Sequence, residues 1–104
     1  MELERSAADA RLEKEMPVIL AETELVPCVE EGEVQGLEIA RLPGGTILSD
    51  AGLLPGDVLL SINELPMDGF SALIGLYPRL RSEDEIRVVV ERGGQILKLA
   101  YNFH

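Results

Sequence analysis

The stretch from Leu42 to Glu64, reading LPGGTILSDAGLLPGDVLLSINE, constrains this chain more than any other. Pro43-Gly44-Gly45 breaks whatever precedes it, because proline fixes φ and glycine permits positive φ. Thr46 to Leu54 places Ile47, Leu48, Ala51 and Leu53 or Leu54 as an apolar set, which predicts one or two helical turns docked on a core. Gly52 suits the left-handed residue that ends such a turn. Pro55-Gly56 predicts a tight turn. Asp57 to Asn63 then reads as a strand, with Val58, Leu60 and Ile62 on its inward side and Leu59 hinting at cover on the other face.

The segments around this stretch complete an α+β pattern. Leu3 to Glu15 is rich in good helix formers, with Ala8, Leu12 and Met16 on one stripe. Pro17 should interrupt it and start a second short helix over Val18–Glu22. Residues 1–23 thus form a helical extension and 24–104 the domain. Glu24 to Glu30 is a strand that Pro27 assigns to an edge or a bulge. Glu30-Glu31-Gly32-Glu33 is a turn, and Val34 to Leu42 a second strand. Leu65 to Gly69 reads as a loop. Phe70, Leu73, Ile74, Tyr77 and Leu80 recur at helical spacing, with a break expected near Pro78. Glu85 to Glu91 and Ile96 to Phe103 flank Gly93-Gly94 as a hairpin. The first strand turns Ile86, Val88 and Val90 inward, and the second carries Leu97, Leu99, Tyr101 and Phe103 on one face. The expected architecture is a small antiparallel barrel or sandwich of five to six strands capped by two helices.

Composition excludes several functions. The chain has 104 residues, enough for one domain with a real core. Its formal charge of −10 argues against nucleic acid and against an anionic membrane surface. Cys28 is the one cysteine and His104 the one histidine, which excludes an intrachain disulfide and a Cys/His zinc site. No apolar run approaches the ~20 residues that span a bilayer, and no signal-peptide pattern occurs. Catalysis lacks its parts: His104 is terminal, and no second group completes a Ser-His-Asp set. The carboxylates are scattered over helices and turns as a solvated face. Gly44-Gly45 and Gly93-Gly94 lack the lysine and helix of a phosphate loop. No cofactor and no metal are expected, and the chain reads as a non-enzyme.

The central stretch resembles the signature of PDZ domains at Ser49, Ala51-Gly52-Leu53, Gly56-Asp57, Leu59 and Ile62-Asn63. It departs at Glu64, where that family usually has glycine. The flanks narrow the resemblance. Val26-Pro27, then Val29 through Leu37, is similar to the opening of the PDZ domain in the type II secretion system protein C family, with Leu37 replacing its usual phenylalanine. Val88 to Gln95 and Leu99 to Phe103 are similar to that family's last hairpin. The resemblance covers roughly residues 25–103. It implies a periplasmic piece of an inner-membrane protein of the general secretion pathway, cut from a parent that carries a membrane helix. The implied partners are secreted proteins, or peptides from them, and other machine components; a separate reading is a stand-alone scaffold that self-associates through its N-terminal helix.

A PDZ domain binds by adding an extended peptide to a strand edge beside its second helix, with the terminal carboxylate held by backbone amides. The resemblance places that site on Gln35, Gly36, Leu37, Glu38 and Ile39, with Leu73, Ile74 and Tyr77 as the helical wall. The same apolar residues also fit a plain core. The rival reading is a regulatory PDZ domain of an HtrA-type protease that reads substrate tails.

Overall fold

The computed structural model describes residues 2–104. Strand β1 (Glu2–Leu3) leads into helix α1 (Arg5–Glu22), strand β2 (Glu24–Glu30) and strand β3 (Glu33–Arg41). Helix α2 (Ile47–Asp50), strands β4 (Val58–Ile62) and β5 (Leu65–Pro66), helix α3 (Phe70–Leu80) and strands β6 (Glu85–Arg92) and β7 (Gln95–Phe103) follow. The strands form one sheet in the order β1-β7-β6-β4-β3-β2, with β5 beside β4. No helix among the described residues is long and apolar enough to cross a membrane.

A single core joins Leu37 and Ile39 of β3, Leu59 and Ile62 of β4, and Val88, Val90 and Tyr101 of the last hairpin. In a flat sheet β3 and β7 would stand three strand spacings apart, roughly 14 Å. Their side chains share one interior because the sheet curls. The crease lies between β3 and β4, where the ladder narrows to two residue pairs, Leu37 with Leu59 and Glu38 with Val58. The sheet does not close, so the result is an α+β open sandwich rather than a barrel.

Turn chemistry follows the residues. Glu31 and Gly32 both take positive φ, 53° and 81°, as a two-residue hairpin requires. Thr46 caps α2 by accepting from the Ser49 amide through Oγ1 (3.4 Å). The loop expected at Leu65 instead begins with β5, and Met67 behind it is only 1% exposed.

Three further expectations change. Helix α1 runs through Pro17 without a second start. Proline's φ is compatible with a helix, and the carbonyl left without a donor lies on the solvent side, where Glu13 and Pro17 are both exposed. Helix α3 likewise continues past Tyr77 and Pro78 to Leu80. In β4 an irregularity between Leu59 and Ser61 shifts the alternation, so Leu59 and Ile62 are buried while Val58 and Leu60 are half-buried.

The extension is fastened at several points. Arg5 donates through Nη1 to the Arg81 carbonyl (2.9 Å) and lies 4.7 Å from the Phe103 ring centre. Glu15 accepts the Ile47 amide at the start of α2 (2.6 Å). Arg11 reaches the Gly45 carbonyl (3.0 Å) and Asp50 (2.6 Å). Strand β1 pairs in parallel with the end of β7.

Asp57 is buried to 1% exposure, and its carboxylate accepts from Arg92 Nε and Nη2 (both 2.7 Å) and from the Leu54 amide (3.0 Å). Arg92 hydrogen bonding, above all, holds its pKa below the ordinary aspartate value, despite the opposing effect of burial. A carboxylate depressed in the folded state stabilises above its unfolded pKa, and that contribution is lost as pH falls through the folded one. We expect Asp57→Asn to cost about 2 kcal/mol at pH 7. In denaturant titrations its deficit against the parent should shrink as pH drops below about 4; an unchanged deficit would contradict the assignment.

Glu64 sits at φ 66° in the tight turn after β4, where its carboxylate grips Arg87 through two contacts of 2.8 and 2.9 Å. Left-handed backbone at glutamate costs about 1–2 kcal/mol, and an exposed ion pair returns less than about 1. Glu64→Gly should therefore raise the melting temperature. The gain should grow with added salt, which screens the pair in the parent.

Candidate functional site

An added strand needs unpaired backbone donors and acceptors along a sheet edge. Strand β3 offers none over Gly36–Ile39. One side pairs with β2, Cys28 with Gly36 through Leu25 with Ile39. The other side meets β4, extended by the Ile39 amide donating to the Asp57 carbonyl (2.8 Å) and the Gly56 amide to the Ile39 carbonyl (2.7 Å). Leu37 and Ile39 are 0% and 2% exposed, members of the core rather than pocket walls. Glu38 is half-buried, and Gln35 is exposed next to the hairpin turn.

Gly36 also has a different role from the one the resemblance implied. A Cβ built there would lie 2.6 Å from the Leu59 carbonyl oxygen and 2.8 Å from Val58 Cγ1. The close approach of β3 to β4 at the crease leaves no room for a side chain at this position. Gly36→Ala should destabilise the domain by about 3 kcal/mol or more, read by thermal unfolding. Gly69→Ala, where a Cβ meets nothing closer than 4.0 Å, serves as the control.

The open edge belongs to β2, the last strand of the sheet. Leu25 packs on the core and Cys28 is half-buried, while Val26, 49% exposed, and Val29, 60% exposed, face outward. Register shifts at both ends of the β2–β3 ladder, and Pro27 within β2, fit a strand at a sheet margin.

Helix α3 supplies an apolar surface. Leu76 is buried beneath it, and Leu73 and Leu80 pack against the same core that receives Leu25 of β2. Phe70, Ile74 and Tyr77 fall at i, i+4 and i+7 on the outer side and remain exposed, Ile74 by 72%. Of the three residues expected on this wall, Leu73 turns inward, while Ile74 and Tyr77 face out. Tyr77 and Arg81 further join Leu12, Met16, Pro17 and Leu20 of α1 in lining a cleft of about 630 Å³. The sequence did signal both features: Pro27 pointed to an edge strand or a bulge, and Phe70 belonged to the same stripe.

No protein-family model matches the chain, and no curated protein does. Solved structures do match. The PDZ domain of EpsC from Vibrio cholerae aligns with 95% of this chain and 90% of its own, with a TM-score of 0.64 and 22% identity. That coverage takes in the N-terminal extension. The PDZ domain of the pullulanase C protein of the type II secretion system from Klebsiella pneumoniae, solved in complex with fatty acid, covers 90% and 97%, with a TM-score of 0.58 and 20% identity. The HtrA-type protease AlgW, solved with a tripeptide, aligns with 76% of this chain but 29% of its own, with a TM-score of 0.61 and 28% identity. At these similarities the fold of the chain is established, and it is the PDZ fold.

Proposed function

On this PDZ fold, we propose a non-catalytic module that binds an extended protein or peptide segment along β2. We place it in the periplasmic part of an inner-membrane protein of the bacterial type II secretion pathway. There it assists protein transport by recruiting secreted proteins or by joining other machine components. The observation that carries the secretion reading is the alignment with EpsC, in which 95% of this chain meets 90% of that PDZ domain, end to end. The observation that carries the binding reading is the unpaired edge of β2 together with the exposed stripe of α3. Backbone pairing along the edge supplies affinity, and the apolar stripe supplies side-chain contact. Ile74 and Tyr77 keep their expected role as contact residues, joined by Phe70, Val26 and Val29. Residues 35–39 act from behind, by holding β2 in place.

A second reading is the substrate-tail module of an HtrA-type protease. It is favoured by the 28% identity with AlgW, whose structure contains a tripeptide. The gene of the parent chain separates the two. A membrane helix and a secretin-contacting domain upstream favour secretion, and a protease domain favours the rival.

The binding reading is tested by titrating the labelled domain with extended peptides and following backbone amide resonances. Shifts should concentrate at Leu25–Val29 and at Phe70–Tyr77. Ile74→Asp should weaken binding about tenfold with little change in melting temperature, because Ile74 is largely exposed. Shifts confined to other surfaces, with β2 silent, would contradict the edge site.

A further inference from the structure

Which end of a partner this edge accepts is written in the groups at the two ends of β2. Capture of a free C-terminal carboxylate needs, where the added strand stops, a surplus of positive charge or amide donors beyond those of the edge itself, which pair with any added strand. A strand added along β2 stops either at the α1–β2 junction or at the β2–β3 turn, according to its direction.

At the junction stands the C-terminal end of α1, the negative end of a helix of 18 residues. The Thr23 amide is spent on the Ile19 carbonyl (3.0 Å). The Thr23 hydroxyl lacks a partner but is sealed from the surface. Among the described residues Arg41, the cross-strand neighbour of Glu24, brings a positive charge to this end, but Glu22 and Glu24 beside it outnumber it, and its Nε donates to the Glu22 carbonyl (3.3 Å). At the turn stand Glu30, Glu31 and Glu33, all exposed and with no cation nearby in sequence. From Glu15 to Ala40 there is no lysine, arginine or histidine, against Glu15, Glu22, Glu24, Glu30, Glu31, Glu33 and Glu38.

Resting on the binding reading above, we propose that β2 takes an internal, basic, extended segment and does not read a free C-terminus. Its lysine or arginine side chains lie at the β2–β3 turn, opposite Glu30, Glu31 and Glu33. The backbone supplies the strand pairing, and the acidic turn chooses the partner.

Three decapeptides test this: one alternating lysine and valine with both ends blocked, the same peptide with a free C-terminal carboxylate, and a blocked peptide with glutamate for lysine. Affinity is measured by calorimetry at low salt, and the site by amide shifts. The blocked lysine peptide should bind at Leu25–Val29. The free carboxylate should add nothing, and the glutamate peptide should bind at least tenfold more weakly. Replacing Glu30, Glu31 and Glu33 together by glutamine should remove about tenfold of the lysine preference, at about twofold to threefold per exposed charge pair. The preference should also fade in 0.5 M salt, on the order of the screening expected at exposed sites. An alternately N-methylated lysine peptide should not bind, and its binding would replace strand addition with loose charge attraction and overturn the proposal. A free carboxylate that tightens binding tenfold would overturn the proposal while leaving the peptide edge standing, as would equal affinity for lysine and glutamate peptides. Binding by none of the three would overturn the peptide edge as well.

Discussion

The fold turns on the carboxylate of Asp57. From one buried position it holds the Leu54 amide at the end of the α2 loop and the guanidinium of Arg92 at the end of β6. Arg92 in turn donates to the Gly52 carbonyl (2.7 Å). The same short segment bonds β3 on both of its polar groups, through the Asp57 carbonyl and the Gly56 amide at Ile39. One anion therefore ties the α2 loop to β6 at the point where its own backbone binds β3, beside the crease that lets a single sheet enclose a core. A buried pair of this kind costs desolvation and adds little net stability by itself. Its effect is to make the curl and the long connection mutually dependent.

Function follows from what the crease uses up. Because β3 is held by β4 on one side and β2 on the other, the sheet's remaining open margin on that flank is β2. The helix that leads into it is not a free tether. Arg5, Arg11 and Glu15 fasten α1 to the turn after α3, to the Gly45 loop and to the start of α2. The orientation of the edge strand is thus set from both of its ends.

Much of this was legible in the residues. The turns at Glu31-Gly32, Pro55-Gly56 and Gly93-Gly94 followed from local chemistry, and so did the inward set of the last hairpin. Local chemistry also marked β2 as an edge. What misled was the meaning of Gly36 and Leu37. A glycine before an apolar alternation looks the same whether it opens a loop or lies under a crossing strand. Only the Leu59 carbonyl, distant in sequence, distinguishes the two. Pro17 and Pro78 misled for a related reason: proline costs a helix one hydrogen bond and a ring clash, and the helix carries through where its packing outweighs that cost. The irregularity after Leu59 was invisible because β-bulges leave no mark in an aliphatic run.

The two ends of the described chain lie side by side. Glu2 stands opposite Asn102, the Arg5 amide donates to the His104 carbonyl (2.9 Å), and the His104 amide donates to the Leu3 carbonyl (2.9 Å). The chain is nearly a ring. Where it is cut matters little to its architecture, and a permuted chain joined at this seam and reopened at Gly93-Gly94 would present the same elements in another order.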